Sequence, residues 1–565
     1  MKNKKYLLLS FIFLTMLSAC KKHVLNETPL DFLSPGNAFS NVNGIEQGIV
    51  GIYSDVRDKW YRGWTGDQSY GLFGLGTDEC YDGETPGGQR FLNNYVTSVT
   101  PQYSVIQSWW LYLFSEIQQV NTLIEGINKL DNKLWASDAQ KMRYLAEARF
   151  FRAWAYRMAV TLWGDIPLIT EAIQSVKTDF VRTPKADVYK QIEDDLIFAT
   201  ANLPGRGEEK APGRLTKAAA FELLSEVYLA QNKFQQAVSS SSEIIDNHGY
   251  SLMTKRFGSQ YDVFGSGDVY YDLFRYGNQN AQENTETIWA IQFEPNVAGG
   301  SGNYWSGIFS PRLARLGNAP DGKPAFKPLY QDTLGVGVAR NRGTSLVFYN
   351  VWNGNWDNDI RNSEHNIRRH FYYSNPESIY NGQLIDLSKY PPGTRNLLKD
   401  TTNYIYPFVM KVWEPVVELK KGSNPTDVQG SQGGGGTVHT DFYAMRLAET
   451  YLLRAEAYVG LGNRDLAAAD INVVRNRAHA TPVLPAEVDI NYILDERVRE
   501  LYGEEMRLIT LLRMGKLIDR TRKYNDNPLM PGANIQNYNN LFPIPQQQID
   551  LNRDNKWTQN PGYPQ

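Results

Sequence analysis

The sequence predicts an all-α protein: a scaffold of tetratricopeptide-like helical hairpins carrying a large loop-rich insertion that contains a few short strands. Three observations point there. Residues 103 to 203 hold only two glycines, Gly126 and Gly164, and place apolar side chains three and four apart, as amphipathic helices do. Two segments, Thr216 to Asn247 and Leu447 to Ala478, carry small and bulky residues at the spacings of a tetratricopeptide hairpin. Between them, residues 251 to 440 hold 22 of the chain's 46 glycines, with turn pairs such as Asn353-Gly354 and Asp321-Gly322.

Residues 1 to 19 read as an address. Lys2, Lys4 and Lys5 precede an apolar run from Tyr6 to Ala19, shorter than the roughly 20 residues a spanning helix needs, and the run ends in Leu17-Ser18-Ala19-Cys20. That ending resembles the bacterial lipobox, which implies cleavage before Cys20 and acylation of its thiol. With Cys20 lipidated, Cys80 is the only other cysteine and has no intrachain partner. Residues 20 to 40 then form a tether, and 41 to 250 the N-terminal part of the scaffold.

Within that part, Trp109, Tyr112, Leu113, Ile117, Val120 and Ile124 share one helical face. Leu145, Ala148, Phe151, Ala155 and Leu162 share another, on a helix stopped by Gly164 and Pro167. A third helix runs from about Tyr189 to Asn202. The hairpin at 216 to 247 turns at Asn232, and the one at 447 to 478 turns at Gly462. Tyr228 and Tyr458 are 230 residues apart, not a multiple of the roughly 34-residue repeat, so the insertion at 251 to 440 separates two hairpins of one scaffold. Strands are expected in it at Glu286 to Phe293 and Tyr404 to Trp413. Residues 441 to 565 complete the scaffold and its tail.

The chain has 565 residues, with 58 Lys and Arg against 61 Asp and Glu; a net charge of −3 supplies no basic field for nucleic acid. No HExxH, CxxC, GxSxG or Walker loop is present, and no cofactor motif. His365 and His370 lack further ligands at zinc spacing, so no metal site is expected there. Asp357-Asn358-Asp359 with Glu364 lacks the register of a calcium loop. Asp194 with Asp195, and Glu504 with Glu505, are adjacent, whereas glycosidase carboxylates flank one bond. These pairs, and the series Glu496, Arg497, Arg499, Glu500, Glu504 and Arg507, are expected as solvent-facing helix charge.

Aromatic residues carry the binding expectation, with 34 Tyr, 13 Trp and 24 Phe. Trp60, Trp64, Tyr70 and Tyr81 crowd a glycine-punctuated segment together with Arg62 and Asp78. Tyr304 and Trp305, then Trp352 and Trp356, repeat the mixture inside the insertion. Flat rings offer faces to sugar C–H surfaces, while Arg62 and Asp78 serve as polar partners at the edge. Trp109, Trp110, Trp154 and Trp163 lie on helices and are expected in the core.

Landmarks across nearly the whole chain resemble the SusD/RagB family of nutrient-binding outer-membrane lipoproteins of Bacteroidetes. They include Glu147-Ala148-Arg149-Phe150-Phe151-Arg152-Ala153, Gly164-Asp165-Ile166-Pro167-Leu168, Gly213-Arg214-Leu215-Thr216-Lys217-Ala218-Ala219, Arg446-Leu447-Ala448-Glu449, Phe542-Pro543-Ile544-Pro545 and Gln559-Asn560-Pro561-Gly562-Tyr563. Around Arg507, Glu505, Leu508 and Thr510 depart from the family's usual Gly, Trp and Asp. The resemblance implies a SusD-like helical scaffold, a lipid-anchored protein of the outer membrane and no catalysis. It further implies an oligosaccharide ligand and a SusC-like TonB-dependent transporter as partner. A peptide ligand on the same fold, a surface glycosidase and a pure interaction scaffold are the alternatives.

Overall fold

In a computed structural model that describes residues 38–63, 68–88, 90–260, 267–294, 297–327, 337–413 and 438–564, Asn41 accepts a hydrogen bond from the Gly44 amide and opens helix α1 (Val42–Val56). Two long helices follow, α2 (Ser104–Lys129) and α3 (Asp138–Trp163). Ser137 caps α3, and Gly164, at φ +73°, ends it in a conformation that favours glycine. The sequence pattern predicts a one-sided α3. Instead every residue from Tyr144 to Trp163 except Arg149 and Arg157 is buried. The helix is enclosed by α2, by α4 (Lys185–Asn202) and by the C-terminal tail, where the Trp163 indole donates to the Pro543 carbonyl at 3.1 Å.

The hairpin α5 (Lys217–Ala230) and α6 (Phe234–Asn247) precedes the insertion, and α7 (Leu447–Gly460) and α8 (Arg464–Arg477) follow it. Helices α6 and α7, 200 residues apart in sequence, pack against each other. At Gly460 a Cβ would stand 2.4 Å from the Phe234 ring, so the close approach of α7 to α6 requires glycine there. The scaffold closes with α9 (Ile490–Leu501), α10 (Arg507–Arg513) and α11 (Leu517–Tyr524).

Six short strands make three antiparallel pairs among the described residues: β1 (Cys80–Tyr81) with β3 (Arg342–Gly343), β2 (Thr287–Ile291) with β6 (Phe442–Arg446), and β4 (Ile367–Arg368) with β5 (Phe408–Val409). Strand β2 lies within the expected Glu286 to Phe293 segment. The strand expected over Tyr404 to Trp413 shrinks to β5, because Asp400–Tyr404 and Met410–Val412 coil into helical turns. Strand β6 runs directly into α7, which ties the insertion to the scaffold.

The charges expected on solvent-facing helices are inside the protein. Glu500 on α9 accepts from Arg361, Arg446 and Arg477, and Glu496 from Arg361, Arg475 and Arg499. Both carboxylates are fully buried. Burial pushes the Glu496 carboxyl up, but the three guanidiniums outweigh it and hold it at about 2. Asp195 receives both arms of Arg152 at 2.8 Å, Glu504 binds Arg446 and Lys411, and Glu505 binds Arg497, Arg507 and the Thr510 hydroxyl. Spacing alone could not separate a solvated stripe from this network, since arginines from distant segments complete it. Asp194, by contrast, is exposed and pairs with Lys190 on α4.

Candidate functional site

Most of the rings expected to meet a ligand are interior. Trp60, Tyr70, Asp78, Tyr81, Trp305 and Trp352 are each no more than 3% exposed. Trp60 packs edge-on to Tyr112 and tilted to Trp154, and its indole N–H donates to Glu116 at 3.4 Å. Trp305 sits among Phe73, Phe309 and Phe442 and donates to the Tyr61 carbonyl at 2.7 Å. Trp352 donates to the Val347 carbonyl at 2.8 Å. Tyr81 lies under the Arg342 guanidinium, 5.0 Å from its ring centroid. In place of a stacking surface Trp60, Tyr70, Trp305 and Trp352 join the main core with the scaffold helices, so the loops that carry them are fastened down onto that frame. Gly63 marks this: a Cβ there would lie 2.9 Å from Ile308 and 3.3 Å from Trp305.

Asp78 is likewise structural, bound by Arg507 and Arg520. Arg62 and Tyr304 are half-buried and face each other: the guanidinium lies 5.5 Å from the ring, and Arg62 donates to the Gly302 carbonyl at 3.2 Å. Trp64 and Cys20 lie outside the described residues.

Trp356 stands apart. Of the twelve described tryptophans the other eleven are buried, whereas Trp356 is 46% exposed. Its ring runs parallel to that of Tyr349, itself 45% exposed, with interplanar angle 6° and centroids 6.3 Å apart. The Arg369 guanidinium lies 4.7 Å from the indole centroid and donates to the carbonyls of Phe348 (2.8 Å) and Asn362 (3.1 Å), clamping the two ends of the segment. Asn350, Asn353 and Asp357, which flank the rings in sequence, are exposed.

The segment is held from beneath. Arg499 of α9 donates to the Val351 carbonyl at 2.7 Å, and the Asn355 side chain accepts from the Thr481 amide at 2.8 Å. Arg361 anchors Asp359 to Glu496 and Glu500. Two parallel, half-exposed rings on a fixed support, with exposed amides and a carboxylate next to them in sequence, can stack on the apolar face of a sugar while hydrogen-bonding its hydroxyls. Tyr349 is the partner that sequence reasoning missed; it sits seven residues before Trp356 in a segment without regular spacing, and no periodicity pairs them. Among the described residues no group of three or more His, Cys, Asp or Glu could hold a metal. Asp359 is committed to Arg361, and Glu364 pairs with His370 at 2.7 Å.

Comparison with known proteins adds the wider context. Residues 274–563 match the model described as "SusD family", and residues 85–229 the one described as "Starch-binding associating with outer membrane". The SusD-like protein P25 of Formosa agariphila is 24% identical over 584 residues, spanning 96% of each chain. Among solved structures, a laminarin binding SusD-like protein superposes with TM-score 0.66 at 24% identity, covering 93% of this chain and 100% of that one. Surface glycan-binding protein A from Bacteroides thetaiotaomicron, solved with laminarihexaose, gives TM-score 0.64 at 19% identity and covers 92% and 99%. At these identities the superpositions establish the shared helix-rich fold.

Proposed function

This chain belongs to the SusD family, and we propose that it is a lipid-anchored glycan-binding protein of the outer membrane that captures an oligosaccharide or polysaccharide and passes it to a SusC-like TonB-dependent transporter. The observation that carries the reading is the exposed Tyr349 and Trp356 stack, two parallel rings on a rigid support, where the other described tryptophans are inside the fold. A matching family model described as starch-binding and a solved structure described as laminarin binding support the ligand class. The anchor is Cys20, acylated after removal of residues 1 to 19; among the described residues no helix is long and apolar enough to cross a membrane.

Capture occurs without turnover. The adjacent carboxylates that could be imagined as catalytic pairs are bound up with arginine or lysine: Asp195 with Arg152, Glu504 with Arg446, Glu505 with Arg497 and Arg507. Stacking and hydrogen bonding to intact sugar rings is what the exposed rings and their amide neighbours provide. Affinity electrophoresis through gels containing laminarin, starch, xylan or mannan tests the reading. Retardation by at least one polysaccharide, lost in Trp356→Ala, is expected; a protein retarded by none, or a variant retarded as strongly as the wild type, refutes the assignment.

A further inference from the structure

The two exposed rings are seven residues apart, and a turn brings them together. The Asn355 amide donates to the Trp352 carbonyl at 2.9 Å, with Asn353 at φ −55° and ψ 127° and Gly354 at φ +81°, as in a type II turn. The turn returns Trp356 toward Tyr349 but leaves the indole free to rotate. Two side chains remove that freedom. Asn362, 4% exposed, donates from Nδ2 to the Trp356 carbonyl at 2.7 Å and accepts at Oδ1 from Arg369 at 2.5 Å. The bonds from Arg369 to the Phe348 and Asn362 carbonyls then place its guanidinium over the ring. Trp356 is thus held at its carbonyl by Asn362 and at its ring by Arg369, and the two holds are hydrogen-bonded to each other.

Arg369 differs from the arginines beneath it. Arg361, Arg475 and Arg499 all answer the buried Glu496 carboxylate. Among the described residues Arg369 forms no ion pair: Glu364 accepts from its backbone amide at 3.3 Å and gives its other oxygen to His370. Burial pulls the Arg369 guanidinium below its ordinary value, and Glu364 only partly offsets this. A half-buried cation without a paired counter-charge costs stability, so what Arg369 contributes lies in the ring it faces and the carbonyls it spans. We propose that Asn362 and Arg369 are the positioning residues of the exposed surface: they hold the Trp356 indole parallel to Tyr349 before a ligand arrives, so that the ring loses little freedom when it is covered. Asn362, being buried, acts on affinity only through Trp356. The inference rests on the glycan reading above for what is bound, and on these hydrogen bonds for how the ring is held.

Near-ultraviolet circular dichroism of each protein, minus that of the same protein carrying Trp356→Ala, isolates the Trp356 signal, and affinity electrophoresis on the same samples reads binding. Asn362→Ala and Arg369→Met, measured well below their melting temperatures, are expected to lose about half or more of that signal and to bind the retarding polysaccharide about tenfold more weakly. Arg369→Lys returns the charge but not the planar fork and should fall between them and the wild type in both readings. It also decides the matter if the other two variants do not fold. A folded variant that keeps the full Trp356 signal overturns the proposal, since any loss of binding would then come from direct contact with the sugar. Loss of the signal with binding within about twofold of the wild type overturns it as well. A wild type that no polysaccharide retards would refute the glycan reading and leave the circular dichroism to decide whether Asn362 and Arg369 hold the ring.

Discussion

Arg507 and Asp78, 429 residues apart in sequence, form a fully buried two-point ion pair at 2.9 and 2.7 Å. Arg520 shares the same carboxylate at 2.6 Å, so one aspartate from the first loop region fastens both α10 and α11. Burial raises the Asp78 carboxyl, but the two guanidiniums prevail and hold it at about 2.

Replacing Asp78 by Asn leaves two buried arginines short of a counter-charge and is expected to lower stability by roughly 3–5 kcal/mol at neutral pH, read by urea unfolding. The carboxyl is depressed in the folded state. Its contribution is therefore complete above the usual value of 3.8 and is lost as pH falls toward about 2. The gap between variant and wild type should narrow across that window; a gap constant with pH would show that the charge is not what stabilises.

Glu116 behaves in the opposite sense. Fully buried beneath Trp60, with Oε1 unpaired, its carboxyl is pushed up to about 8 by burial, only partly offset by Lys59 and the Trp60 N–H. Between 4.5 and about 8 the folded state keeps a proton the unfolded chain has released, so wild-type stability declines as pH rises through that window. Glu116→Gln removes the decline. Its melting temperature should match the wild type near pH 4 and exceed it increasingly toward pH 8, by an amount on the order of a few kcal/mol in stability. Parallel melting curves across the range would contradict this.

Trp305 and Trp356, both expected from sequence to meet ligand, should separate on mutation. Trp305→Ala opens a cavity among Phe73, Phe309 and Phe442 and is expected to cost roughly 3–5 kcal/mol. Trp356→Ala removes an exposed ring and should change stability by less than about 1 kcal/mol while weakening polysaccharide binding about tenfold. Thermal melts and affinity electrophoresis on the same two samples decide it.

Cys80 is fully buried, with Sγ 3.5 Å from the Tyr502 hydroxyl, and burial pushes its thiol well above the usual value. In a Cys20→Ser protein, a thiol reagent should therefore label the chain only as it unfolds. Rapid labelling of the native protein would place Cys80 at the surface instead.

Much of the scaffold was legible because helices announce themselves locally. The face from Trp109 to Ile124, the stop at Gly164 and the two hairpin turns each depend on residues within a few positions of one another. The proposed binding surface was legible only in part. Trp356 was one of eight candidate rings, of which Trp60, Trp305 and Trp352, also in glycine-punctuated segments, are core, and Tyr349 carried no signal. Composition measures how many rings a loop holds, whereas exposure depends on what another segment lays over them.

By itself, then, the order of residues determined the helical frame, the position of the glycine-rich interruption and the family likeness, since each is written in short-range spacing and local landmarks. Only the folded chain decided which charges are solvated and which are locked inside, and which rings face water. Those outcomes turn on partners hundreds of residues away, as Arg507 is from Asp78 and α7 from α6, and contact between distant segments is a property of packing that no local pattern encodes.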